Sequence, residues 1–218
     1  MFIETAKDDL PYFISVVVTV IVSIILHELA HGLTAVRLGD DTPRVRGHLT
    51  LNPLVHMPPF AIITLLLAGI AWGSMPINPS RLRGRFGEAM VAVAGPLTNL
   101  FLAAIALTAL GLWQRLVQED PSHRVMNTWN FLMVFGAINL ALCAFNLLPI
   151  PPLDGSHILA NFNGRYRSFL NNPDSQGLAV GLFIGAFLLS RYLFRFTSAL
   201  AYGYTDWING SLWSWSAV

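Results

Sequence analysis

The run His27-Glu28-Leu29-Ala30-His31 carries the residue types of a metal hydrolase, two imidazoles four apart with a carboxylate between them. On a helix that spacing projects both rings from one face, so His27 and His31 can hold one Zn²⁺. Glu28, one position round, can act as general acid and base toward a water at the metal. The run lies near the end of an apolar stretch that begins around Leu10 and is long enough to enter a bilayer. Two satisfied core histidines are the bland alternative. Ionisable groups are costly in hydrocarbon, which makes that alternative the weaker one.

A catalytic zinc site takes three protein ligands and keeps a fourth position open. The third must come from elsewhere in the chain, where the candidate acids are Glu88, Glu119, Asp120, Asp154, Asp174 and Asp206. Of these, Asp154 alone ends a predicted span in a proline-rich break, where unwound backbone can lower a carboxylate into a cavity. The competing reading is an Asp in a plain Leu-Asp-Gly turn, and taken alone the residue favours that turn.

The elements that must position these groups are membrane helices. Hydrophobic residues make up 54% of the chain and charged ones 11%, with a mean hydropathy of +0.57. Soluble domains carry roughly 25% charged residues. The expected fold is an all-α polytopic membrane protein of about four to six membrane helices, with a short β-hairpin or re-entrant element after the first. One domain is expected over residues 1–218, with a catalytic core at about 11–160 and a C-terminal membrane segment at about 177–205.

Residues 11–36 form the first span, ~39 Å of helix against a ~30 Å core. Residues 42–56 alternate, with Val45, Gly47, Leu49 and Leu51 between Arg46, His48 and Thr50, which predicts a strand or hairpin. Residues 60–72 are apolar between Pro59 and Gly73, a length that favours a re-entrant helix. Residues 88–113 form a second span kinked at Pro96, and residues 128–148 a third that stops at Pro149, Pro151 and Pro152. A last apolar segment from Gly177 to about residue 204 is interrupted by Arg191 and Arg195.

Topology and chemistry constrain each other. A full crossing by residues 60–72 would put Asp154 on the face opposite the end nearest His27. A return to the same side gives Arg37, Arg44, Arg46, Arg81, Arg83, Arg85, Arg165 and Arg167 one common face and brings Asp154 to the depth of His31. Arginine bias then makes that face cytoplasmic. The formal charge of +1, with twelve arginines and one lysine, most of them between apolar segments, leaves no nucleic-acid footprint. Cys143 is the single cysteine and is read as packing.

His27-Glu28-x-x-His31, Gly95-Pro96-x-x-Asn99, and Asn146-x-x-Pro149 leading to Leu153-Asp154-Gly155 occur in this order over residues 27–155. Together they resemble the three signatures of the site-2 protease family of intramembrane zinc metalloproteases, in a compact form without an inserted peptide-binding domain. The resemblance implies one Zn²⁺ per chain on His27, His31 and Asp154, with Glu28 as general acid/base. It also implies that Asn146 acts catalytically, holding substrate backbone or the developing oxyanion, and that the Asn99 segment packs beside the site. Compact members often carry an Asp where this chain has Met57, so His48 and His56 are read as polar loop residues.

The implied activity is hydrolysis of peptide bonds within or near transmembrane segments of membrane-anchored, single-span proteins. The implied setting is a multi-pass protein of the cell membrane with its active site nearer the cytoplasmic face. Its expected partners are that substrate and the bilayer, with no nucleic acid. Residues 42–56 would clamp unwound substrate by strand addition. Two rivals stand beside this reading. One is a membrane zinc protease for soluble or prenylated peptides with Glu88 as third ligand, the other a non-proteolytic zinc-binding transporter or scaffold.

Overall fold

The computed structural model describes residues 2–116 and 123–215, so Glu119 and Asp120 lie outside the described residues. Helix α1 (Thr5–Asp8) folds back on α2 (Leu10–Arg37), with the Phe2 and Phe13 rings 5.0 Å apart. Asp9 starts α2 by accepting the Tyr12 N–H at 3.0 Å, and Pro11 occupies the first turn, where its missing N–H costs nothing.

After α2 the chain makes two single turns, α3 (Thr42–Val45) and α4 (Pro53–His56), and then α5 (Pro59–Ala68). The hairpin expected over 42–56 finds no support, since two helical turns lie there and no strand occurs among the described residues. Local chemistry explains the difference. Pro43 and Pro53 lie at the starts of the two turns and pre-set the helical φ, and the Asn52 side chain caps the second by accepting the Leu54 N–H at 3.0 Å.

The next segment forms a helix shorter than a full crossing needs. Helix α5 has 10 residues, about 15 Å of rise, half of what a bilayer core demands. Leu65 and Met57 are fully buried against Val16, Val20 and Ile24 of α2. The far end of α5 meets Phe2 at Gly69 and the chain then turns back, extended, along α2. On the way the Ser74 N–H donates to the His56 carbonyl at 2.9 Å.

Two bonds fasten the returning end beside the C-terminus of α2. The Asn78 N–H donates to Asp40 Oδ2 at 2.6 Å, and the Arg83 N–H to the Leu38 carbonyl at 2.8 Å. Burial of Asp40 opposes its ionisation. Hydrogen bonds from Thr42 and Asn78, with Arg81 nearby, nevertheless hold its carboxyl below the usual carboxylate range.

The remaining elements are α6 (Gly87–Leu116), α7 (His123–Asn146), α8 (Asp154–Phe162), α9 (Gly164–Asn171) and α10 (Gln176–Trp215). Among the described residues, four helical stretches are long and apolar enough to cross a membrane: Leu10–Arg37, Gly87–Gln114, Val125–Asn146 and Pro173–Gly210. They alternate in direction. Val91 near the start of α6 reaches His31 and Asn99 further along reaches His27, so α6 runs against α2, while α10 passes Phe145 at Phe183 and Trp129 at Tyr202 and so runs against α7. Leu107, Leu110, Met133, Ala137 and Ala201 form a second core where α6, α7 and α10 meet. Cys143 is buried within α7, as packing requires.

Candidate metal centre

His27 and His31 are buried on one face of α2, their Nε2 atoms 2.9 Å apart. The opposing wall is Gly95 of α6. A Cβ at that position would stand 2.6 Å from His27 Nε2 and closer still to His31 Nε2, so only glycine lets α6 approach the two rings.

Asp154 arrives from the break after α7. The backbone through Pro149 and Pro152 is stitched by Ile150 N–H to the Leu148 carbonyl and Leu153 N–H to the Ile150 carbonyl, both at 2.8 Å. The Tyr166 hydroxyl of α9 donates to the Pro149 carbonyl at 2.8 Å, tying the break from outside. Asp154, first residue of α8, then lies with Oδ2 3.1 Å from His27 Nε2 and Oδ1 3.3 Å from His31 Nε2. Donor atoms of His27, His31 and Asp154 all fall within 4.8 Å of one another.

The hydrogen bonds behind the rings determine which atoms face inward. Asn139 of α7 donates from Nδ2 to the Phe135 carbonyl at 2.9 Å, and a backbone carbonyl can only accept. Its Oδ1 therefore accepts from Asn99 Nδ2 at 2.9 Å, which turns Asn99 Oδ1 to His27 Nδ1 at 2.6 Å. His27 thus carries its proton on Nδ1. His31 is fixed the same way, since its Nδ1 meets the Val91 carbonyl at 2.7 Å. Both Nε2 lone pairs then point at a carboxylate whose buried Oδ2 has no hydrogen-bond donor.

Two imidazole nitrogens and a carboxylate converging this closely form a group that can hold a metal cation. Ligands about 2.0 Å from a tetrahedral zinc stand ~3.3 Å apart, and the observed separations of 2.9, 3.1 and 3.3 Å fit that cage. A set of two imidazoles and a carboxylate is a known catalytic zinc environment.

Glu28 leaves α2 beside the cage, buried, with the returning segment pressed on it. A Cβ on Gly73 would lie 2.7 Å from Glu28 Oε1, so the backbone passes directly over the carboxylate. A cavity of about 900 Å³ opens from this point, lined by Glu28, Trp72, Phe145, Asn146, Asp154 and Phe187 among others. Asn146 donates Nδ2 to the Leu142 carbonyl of its own helix at 3.0 Å and keeps its other amide groups for the cavity.

Other sequence candidates lie apart from the cage. Glu88 pairs with Arg167 at 2.5 Å and is not among the residues whose donor atoms converge. His48 bonds the Arg46 carbonyl at 3.0 Å, and His56, fully buried at the end of α4, bonds the Thr50 carbonyl through Nε2 at 2.7 Å while its Nδ1 has no partner among the described residues. Asn139 escaped notice in the sequence because a lone amide in a membrane span signals an interhelical bond without naming its target. Removing it frees the Asn99 amide to rotate. Asn139→Leu is expected to weaken zinc binding by about 10–100-fold, read by competition with a chromogenic chelator.

The model of peptidase family M50 matches residues 15–190. The chain belongs to peptidase family M50. Among curated relatives, the Bacillus subtilis protein named "Putative zinc metalloprotease YwhC" is 36% identical over 187 residues, 84% of each chain. "Putative zinc metalloprotease Rip2" of Mycolicibacterium smegmatis is 31% identical over 218 residues, 94% of this chain and 78% of its own. Rip2 of Mycobacterium tuberculosis is 34% identical over 149 residues, 66% of this chain and 55% of its own. No solved structure matches the chain. The matched M50 region holds all three members of the buried cage and the glutamate beside it, and the site-2 protease resemblance agrees with that membership.

Proposed function

We propose that this M50 chain is an intramembrane zinc endopeptidase that cleaves membrane-anchored, single-span proteins within or beside their transmembrane segment. The observation that carries this is the convergence of buried His27 and His31 with half-buried Asp154, with Glu28 beside them, opening into a largely apolar cavity between membrane helices. Zinc, when bound by those three residues, polarises a carbonyl and makes water a competent nucleophile near neutral pH. Glu28 takes the proton from the attacking water and passes one to the departing amine, so the amine leaves neutral. The Asn146 amide supplies a donor to the developing oxyanion without adding charge in a low dielectric.

A helical substrate must first unwind, because its carbonyls are held in its own hydrogen bonds. The extended residues 71–77 are the surface for that strand, in place of the absent hairpin. Among the described residues, the one backbone bond of this segment is that of the Ser74 N–H, and its other backbone groups offer an edge to pair. The arginine-bearing end of the bundle faces the cytoplasm by charge bias, so water and substrate flank enter from that side.

The test uses purified full chain in vesicles with a single-span substrate. Cleavage is expected to stop on chelation and return with added zinc, at a bond within or next to the span. Cleavage of soluble peptides alone would favour the rival protease, and zinc binding without cleavage of any substrate would favour the scaffold.

A further inference from the structure

Beyond the metal centre, a second cavity of about 480 Å³ lies at the arginine-bearing end, lined by Thr42, Val45, Arg46, Ile77, Pro79 and Arg81 among others. We propose that it is a subsite for an acidic side chain of the substrate, on its polar flank, four to six residues from the cleaved bond. This rests on the protease reading above.

Two observations connect the cavity to the active site. Ile77 and Pro79 line both cavities, so the two share a wall. The extended segment also serves as a ruler. It passes Glu28 at Gly73 and reaches the shared wall at Ile77 and Pro79, four to six residues on. At ~3.3 Å per residue this is about 13–20 Å, and a substrate strand laid alongside covers the same distance in the same number of residues.

Charge selects the occupant. Arg44 in the same loop is held by Asp41 at 2.7 Å, and Arg167 across the face by Glu88. Arg46 and Arg81 are exposed and make no ion pair or side-chain hydrogen bond among the described residues. Asp40 attracts Arg81, but its oxygens are already bonded to Thr42 and Asn78. Two guanidinium groups are therefore available for bidentate pairing with a carboxylate. Val45, 80% exposed, with Pro76 and Ile77, supplies apolar wall for the stem of that side chain. The shared wall favours a residue of the peptide being cut over a lipid headgroup, which has no reason to sit in line with the active site.

The experiment places the full chain in phosphatidylcholine vesicles with single-span substrates in which one Glu is walked from two to ten residues beyond the cleaved bond, on the polar side. We expect kcat/KM to peak with Glu at four to six, about tenfold above Gln there and mostly through KM. The Arg46→Gln/Arg81→Gln pair should flatten the profile, and the Arg46→Glu/Arg81→Glu pair should invert it in favour of Lys. Inversion also shows that the variant is folded. A flat wild-type profile, or one unchanged in the variants, would overturn the subsite. So would a rate that rises with anionic lipid whatever the substrate charge and loses that rise in the variants, since the cavity would then be a headgroup site. Failure to cut any substrate in the series would remove the protease reading and the subsite with it.

Discussion

Glu28→Gln is expected to lower the rate of peptide-bond cleavage by about 10²–10⁴-fold while one zinc per chain is retained. The two effects separate because Glu28 is not one of the three residues whose donor atoms converge. The amide matches the carboxylate in shape and keeps its place beneath Gly73, so the buried packing survives. What is lost is the ability to accept a proton and hand it on. Metal analysis of the purified variant, alongside single-turnover cleavage, reads both quantities on one sample. Full cleavage by the variant would remove Glu28 from the mechanism, and loss of zinc would make it a structural support of the cage.

Asp154→Asn is expected to bring bound zinc from one per chain to below a tenth under the same purification. The carboxylate supplies the cage's one negative charge, and its Oδ2 has no hydrogen-bond donor to compensate it. Two neutral imidazoles remain in the variant, too few ligands for a catalytic zinc. Glu88→Gln is the control. Glu88 is committed to Arg167, so its loss should leave zinc in place and disturb only the join between α6 and α9. Zinc lost in Glu88→Gln but kept in Asp154→Asn would reverse the assignment.

Both predictions depend on residues distant in sequence, and the sequence is informative about them to very different degrees. The pairing of His27 with His31 was legible because it is local. Four residues on a helix bring two side chains to one face whatever the rest of the chain does. The four spans were legible for a similar reason, since their length and apolarity are properties of continuous segments. The proline break before Asp154 could be seen as the end of a helix, and family resemblance gave that Asp a role.

Residues 42–56 show the limit of such reading. Their alternation suggested strands, but prolines at the start of each turn and the Asn52 cap fixed two short helical turns, a choice no partner strand was present to oppose. The return of the chain after α5 was one of two topologies the sequence allowed, and the bonds from Asn78 to Asp40 and Arg83 to Leu38 are what close it.

By itself, then, the sequence determined that a metal pair lies inside a helical membrane bundle, because hydropathy and helical period act over a few neighbouring residues. Tertiary structure alone brought Asp154 within reach of both imidazoles, set Asn139 and Asn99 behind His27, and let two backbones close on the site at Gly73 and Gly95. Those contacts join segments tens of residues apart. They exist only once packing has fixed the depth and rotation of each helix, which no local pattern encodes.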